Sequence, residues 1–287
     1  YYPRLDERES EDLDLFIYPE DLGTIKATFI REGLQPMAGY PSWDDLRILE
    51  TFGEYNFDQF QGGVRTYHVE CHGTLGSRIQ RLDIRLADLE DQIREDRFSG
   101  QPVQVFSPSA LLLLTALHHG GKDAWEELRQ VLDIGLFLQH DASQLDWQWI
   151  QAMVERYDAR DVFDTGMALA ARLTGVVLPG QAGRQAVTTR VGRMADMRID
   201  LLGKPPWYWN SFRVYGQRWL YHWHTKPGLK KKLRWARDYF EEAVFRPGAG
   251  HPDDSSGSRL TRWMGFFRHV IRRIFRIVRM ELQQHLR

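Results

Sequence analysis

The stretch Asp12-Leu13-Asp14-Leu15-Phe16-Ile17-Tyr18 alternates acid and apolar residues and then turns fully apolar before Pro19, the pattern of a β-strand whose early part has one wet face. Side chains alternate across a strand, so Asp12 and Asp14 project from one face about 7 Å apart while Leu13 and Leu15 enter the core. Aspartate is a poor strand former, and two on one face of an otherwise apolar strand need an external reason. A bound metal ion is such a reason. Behind the strand, Pro19-Glu20-Asp21-Leu22 puts proline in the first turn of a helix and acids near the positive end of its dipole, which predicts a helix to about Gly33.

Moving outward, Arg47-Ile48-Leu49-Glu50-Thr51-Phe52 and Val64 to His72 are rich in β-formers and predict two further strands, with Gly62-Gly63 as a turn. On the second of these, alternation puts His68, Glu70 and His72 on one face and Val69 with Cys71 on the other. If that strand neighbours the first, Glu70 joins the two aspartates. Three carboxylates in an open site suit Mg²⁺ (or Mn²⁺), and paired ions about 4 Å apart serve phosphoryl-type transfer, which needs little beyond positioning and charge.

After Ser107-Pro108-Ser109 the hydrophobic period changes. Residues 110–119, 124–139, 145–157 and 162–173 read as amphipathic helices. A second shift follows Gly203-Lys204-Pro205-Pro206, where tryptophans and tyrosines crowd together. The expected fold class is α+β: a small mixed β-sheet domain over residues 1–106, an α-helical domain over 107–202, and an aromatic and basic helical C-terminal region over 203–287.

Composition sets outer bounds. The chain has 287 residues, 43% of them hydrophobic, and a formal charge of -1, so overall charge points to no specific nucleic-acid partner. A single cysteine, Cys71, forbids an intramolecular disulfide and fits a reducing compartment, with cytoplasm as the expectation. No run of about 18 uncharged apolar residues occurs. The chemistry begins within a dozen residues of Tyr1, which leads us to expect a segment ahead of it.

The chain resembles the uncharacterised nucleotidyltransferase family of the polymerase-β-like superfamily. The matching pieces are Tyr2-Pro3, Arg8, Asp12-Leu13-Asp14-Leu15-Phe16-Ile17 followed by Pro19-Glu20-Asp21-Leu22, and Val69-Glu70-Cys71-His72. In the helical region they are Leu117-His118-His119-Gly120-Gly121-Lys122-Asp123-Ala124-Trp125-Glu126-Glu127-Leu128 and Leu132-Asp133-Ile134. The likeness covers about residues 1 to 180. It implies that Asp12, Asp14 and Glu70 hold metal and form the catalytic set, with Glu70 drawing the acceptor proton, and that an NTP binds between the two domains. Arg8 offers a fork to phosphate, Lys122 a point charge to the triphosphate, and His72 a hydrogen bond at the catalytic edge. The family also carries a small-residue segment before the Tyr-Pro stretch, where backbone amides cradle phosphate, and this chain starts after it. Three functions are therefore weighed: transfer of an NMP to an unidentified acceptor, a catalytically silent nucleotide-binding or scaffold module, or a peripheral membrane adaptor organised by the basic helix at the end of the chain.

Other groupings carry less. His68, Cys71 and His72 do not make a zinc site, because Cys71 points away from both histidines on a strand. Adjacent His118 and His119 diverge by about 100° on a helix, so at most one faces the cleft. Asp133 reads as a partner for a nearby base, and Gly120-Gly121 as a helix break that lets Lys122 approach. The aromatic region with Lys230, Lys231 and Lys232 could stack bases but reads more readily as core. In residues 259–287 an apolar stripe that includes Trp263 and Phe267 is flanked by arginines, the profile of a helix lying on an anionic membrane surface or docked on protein.

Overall fold

In the computed structural model, residues 12–40, 42–77, 79–178, 189–204, 212–226 and 228–245 are described. Arg8, Trp207 to Trp209 and the basic helix expected over 259–287 lie outside them. The first part is a four-stranded sheet of β1 (Leu13–Phe16), β2 (Gln35–Pro36), β3 (Glu54–Gln61) and β4 (Val64–His72), in the order β1-β4-β3-β2. β1 runs parallel to β4, and β3 antiparallel to both β4 and β2. The sheet is mixed, as the sequence predicts.

One face of this sheet is apolar. Ile17, Phe57, Val69 and Cys71 pack there against Leu22 of α1 (Leu22–Arg31) and Ile48, Leu49 and Phe52 of α2 (Asp45–Phe52). The α2 segment corrects the expected strand over Arg47–Phe52. Asp44 caps it by accepting from the Arg47 amide, Gly53 ends it at φ +80°, and its apolar residues recur at helical spacing. The hairpin partner of β4 is β3, whose Glu54, Asn56 and Asp58 concealed it.

The hairpin β5 (Ile93–Phe98) with β6 (Gln101–Phe106) precedes the helices and is not anticipated by the sequence reading. The larger core lies beyond it. It unites α3 (Pro108–His118), α4 (Leu128–Asp141), α5 (Trp147–Arg156), α6 (Arg160–Thr174) and α7 (Thr189–Leu202) with Leu75, Leu82, Ile84 and Leu89 from the segment after β4. Two more helices, α8 (Phe212–Thr225) and α9 (Gly228–Phe245), follow. Their Trp219 and Trp223 stack, and the buried Trp235 packs against both at steep angles, so these aromatics build core. No helix among the described residues is long and apolar enough to cross a membrane.

Between α3 and α4 the chain leaves α-helical geometry. Residues His119–Asp123 form one π-helical turn, and Ala124 and Trp125 take φ +56° and +58°. The helix expected from residue 124 therefore starts at Leu128. The glycines explain how the turn fits. A Cβ on Gly120 would lie 2.5 Å from Val162 and 2.8 Å from Trp125, and one on Gly121 would lie 2.5 Å from Leu82. Backbone thus packs where a side chain cannot.

Candidate active site

The site lies on the polar face of the sheet, opposite α1 and α2. The parallel register sets Asp14 against Glu70 and Phe16 against His72, while β3 sets Glu54 against His72, Asn56 against Glu70 and Asp58 against His68. Residues in register share a face. A block of acids and histidines three strands wide results, and the π turn after α3 brings Lys122 over it.

Each acid has a cationic neighbour. His72 Nε2 is 2.7 Å from Asp14 Oδ1 and 3.4 Å from Glu70 Oε2. Lys122 Nζ donates to Glu54 at 3.1 Å and to Glu70 at 3.3 Å. His68 lies between Asp58, 2.7 Å from its Nδ1, and Glu70, 3.3 Å from its Nε2. Burial works against ionisation of Glu70, but hydrogen bonds from His68 and His72 and the charge of Lys122 overcome it and hold this carboxyl far below the usual range. Asp14 is likewise lowered: burial opposes ionisation, and the hydrogen bond and charge of His72 outweigh it. The balance runs the other way for His72, where burial favours the neutral ring but Asp14 and Glu70 raise its pKa to about 9. His118, edge-on to His72 at 6.0 Å, is pulled down to about 4 by burial and by Lys122, so its ring is neutral.

Asp12 differs from Asp14. Its pKa is raised, first by burial and then by the charges of Asp14 and Glu70. Removing Asp12 would relieve repulsion, whereas removing Asp14 would cost His72 its nearest partner.

Asp14, Glu70 and His72 each present a ligand atom within 4.8 Å of the others. Asp12 lies beside this cluster, close enough for the charges of Asp14 and Glu70 to raise its pKa. Carboxylates crowded closely enough to raise the pKa of Asp12 fit a hard divalent ion. The structure brings Asp12, Asp14, Glu70, His72 and Lys122 together. It adds Glu54, Asp58, His68 and His118, which the sequence reading did not name as site residues. Alternation of Glu54, Asn56 and Asp58 is the signal for the first two. Cys71 sits in the apolar core, on the face away from His68 and His72, with its thiol pushed up to about 12 by burial. His119 turns to Asp123, 3.4 Å away, while Asp133 is half-buried on α4.

No curated protein and no solved structure matches the chain. A family model described as an uncharacterised nucleotidyltransferase matches residues 1–175, which is more than half of the 287 and includes every element of the site above. The chain belongs to this uncharacterised nucleotidyltransferase family.

Proposed function

We propose that the protein transfers a nucleoside monophosphate from an NTP to an acceptor in a Mg²⁺-dependent reaction, the acceptor oxygen attacking the α-phosphate as the α–β bond breaks and pyrophosphate leaves, with Asp12, Asp14 and Glu70 as the metal-holding set. The observation that carries this reading is the parallel β1–β4 register, which places Asp14 directly beside Glu70 on the face that Lys122 overhangs. The bound cation would neutralise charge on the transferring phosphate and make the attacking oxygen more acidic.

The chain's own groups supply the rest. His72 donates to Asp14 from a nearly buried position and so fixes the orientation of that carboxylate. His68, held from behind by Asp58, does the same for Glu70. Lys122 is shared between Glu54 and Glu70, and an incoming triphosphate offers its ammonium a stronger anionic partner. As Lys122 moves to the phosphates, Glu70 loses one of the charges that suppress its basicity, and Glu70 Oε2 can then accept the acceptor's proton. Phosphate contact by Arg8 and a cytoplasmic setting complete the reading.

The test is incubation of the protein with labelled ATP, GTP, CTP or UTP, Mg²⁺ and cell extract. Label transfer that stops on chelation and in Asp12→Ala and Asp14→Ala supports the proposal. Metal-dependent nucleotide binding with no transfer from any of the four would point to a silent nucleotide-binding module and overturn it.

A further inference from the structure

Four side chains of β3 and β4 stand at the corners of one patch on the polar face of the sheet. The antiparallel register pairs Glu54 with His72 and Asn56 with Glu70, so the corners are about 5 Å apart across the strands and about 7 Å apart along them. Lys122 Nζ bridges one diagonal, 3.1 Å from Glu54 Oε2 and 3.3 Å from Glu70 Oε2, and so lies over the middle of the patch. An alkylammonium group is thus already held there.

Asn56 keeps an open valence at its corner. Its backbone is clamped, the amide donating to the Tyr40 hydroxyl at 2.8 Å and the carbonyl accepting from the Met37 amide at 2.9 Å. In the side chain, Nδ2 donates to Glu54 Oε1 at 3.4 Å, which fixes Oδ1 as the other end of the amide. Asn56 is 4% exposed, and Oδ1 is buried with no partner among the described residues. The neighbouring histidines are committed elsewhere: His68 to Asp58 and Glu70, and His72 to Asp14 and Glu70. A buried acceptor left open is costly unless a donor reaches it.

When Lys122 turns to the triphosphate, Glu54, a largely buried carboxylate, loses the cation that bridges it beside the open Asn56 oxygen. A buried charge stripped of its partner is expensive. We propose that an ammonium group of the acceptor takes this place, donating to Glu54 Oε2 and Asn56 Oδ1, so that the acceptor is an amino alcohol with its amine next to the attacking hydroxyl. The inference rests on the transfer reading and on the movement of Lys122 within it. Glu70, across from Asn56, remains for the hydroxyl proton. Vicinal nitrogen and oxygen atoms, each extended by a hydrogen bond of about 2.8 Å, span two neighbouring strands. A neutral hydroxyl in the same place would leave the charge of Glu54 unmet. A second Mg²⁺ needs oxygens at about 2.1 Å, whereas Glu54 and Glu70 stand at ammonium distances from Lys122 Nζ.

The experiment is calorimetric titration of the full chain with 2-aminocyclohexanol, and with cyclohexanediol as the uncharged comparison, in the presence of Mg²⁺ and an α,β-methylene analogue of ATP that cannot transfer. The amino alcohol should bind saturably and about tenfold or more tightly than the diol. Glu54→Gln and Asn56→Leu should each weaken it by about tenfold while still binding the analogue, which shows that they fold. Lys122→Met should bind the amino alcohol with no nucleotide present, because the lysine no longer fills the place. Equal affinity for amino alcohol and diol, wild-type affinity in Glu54→Gln and Asn56→Leu, or no binding to Lys122→Met would overturn the subsite. Displacement by an equal concentration of potassium chloride would overturn it too, marking a place for any monovalent cation. The two readings fail separately: amino-alcohol binding with no label transfer from any of the four NTPs keeps the ammonium subsite and removes the transferase, and label transfer with equal binding of amino alcohol and diol does the reverse.

Discussion

His72 Nε2 and Asp14 Oδ1 lie 2.7 Å apart across the parallel pair of β1 and β4, the histidine nearly buried and the aspartate half-exposed. The contact makes the two aspartates of one strand unequal. Asp14 holds a buried cation in place, whereas Asp12 adds charge to a site already crowded with it. Asp14→Ala should therefore destabilise the metal-free protein by about 1–2 kcal/mol, a hydrogen bond to a charged group discounted for the exposure of Asp14. Asp12→Ala should be neutral or stabilising. Both should abolish Mg²⁺-dependent nucleotide binding. Urea unfolding in EDTA measures the first difference, and equal loss of stability in the two variants would refute it.

Lys122 bridges Glu54 and Glu70 from the π turn, so its removal acts on two quantities. Lys122→Ala should weaken NTP binding more than NMP binding, since the outer phosphates are its intended partners. Glu70→Gln should keep nucleotide binding and lower transfer strongly, because the amide keeps the size and loses the charge. Parallel titrations with ATP and AMP, alongside the transfer assay, check both. Equal weakening of ATP and AMP would place Lys122 away from the outer phosphates, and unchanged transfer in Glu70→Gln would remove Glu70 from the mechanism.

What the sequence discloses follows from which signals are local. Alternation of Asp12 and Asp14 and of His68, Glu70 and His72 identifies two strands and their polar faces, and the register bears this out. Arg47–Phe52 misleads because Ile48, Thr51 and Phe52 favour strands, while the cap at Asp44 and the stop at Gly53 argue for the helix that forms. Strand β3 hides for the opposite reason: Asn56 and Asp58 are poor strand formers retained because they face the site, the argument that singles out Asp12 and Asp14. The positive φ of Ala124 and Trp125 and the reach of Lys122 across to Glu54 depend on contacts with distant parts of the chain. No local pattern encodes them.

Two glycines should respond to alanine with opposite signs. A Cβ at Gly23 in α1 meets nothing within 4 Å, so Gly23→Ala should stabilise by about 0.5–1 kcal/mol through helix propensity alone. A Cβ at Gly166 in α6 would lie 2.2 Å from the fully buried ring of Trp125, so Gly166→Ala should destabilise by about 1–3 kcal/mol despite the same propensity gain. Trp125 follows the turn that presents Lys122, and the second variant should also weaken NTP binding. Thermal melts compare the pair directly; a stabilised Gly166→Ala protein would show that Trp125 moves aside at little cost.

Asp164 in α6 is 3% exposed, and its nearest base, Arg160, is 4.0 Å away. Burial raises its pKa from 3.8 to about 6, with the charges of Asp161 and Glu155 adding to the rise and Arg160 opposing it. A carboxyl whose pKa rises on folding holds its proton more tightly in the native state. Stability from this group is therefore greatest below about pH 4, falls as pH climbs from there to about 6, and stays reduced above. A shift of about two units corresponds to about 2–3 kcal/mol. Asp164→Asn removes the charge that burial penalises while keeping the shape. It should unfold at higher urea than wild type at pH 7.5, by roughly that free energy, and the advantage should vanish near pH 4. An asparagine variant less stable at pH 7.5 would mean that the Arg160 contact outweighs the cost of burial, and the predicted pH dependence would then reverse.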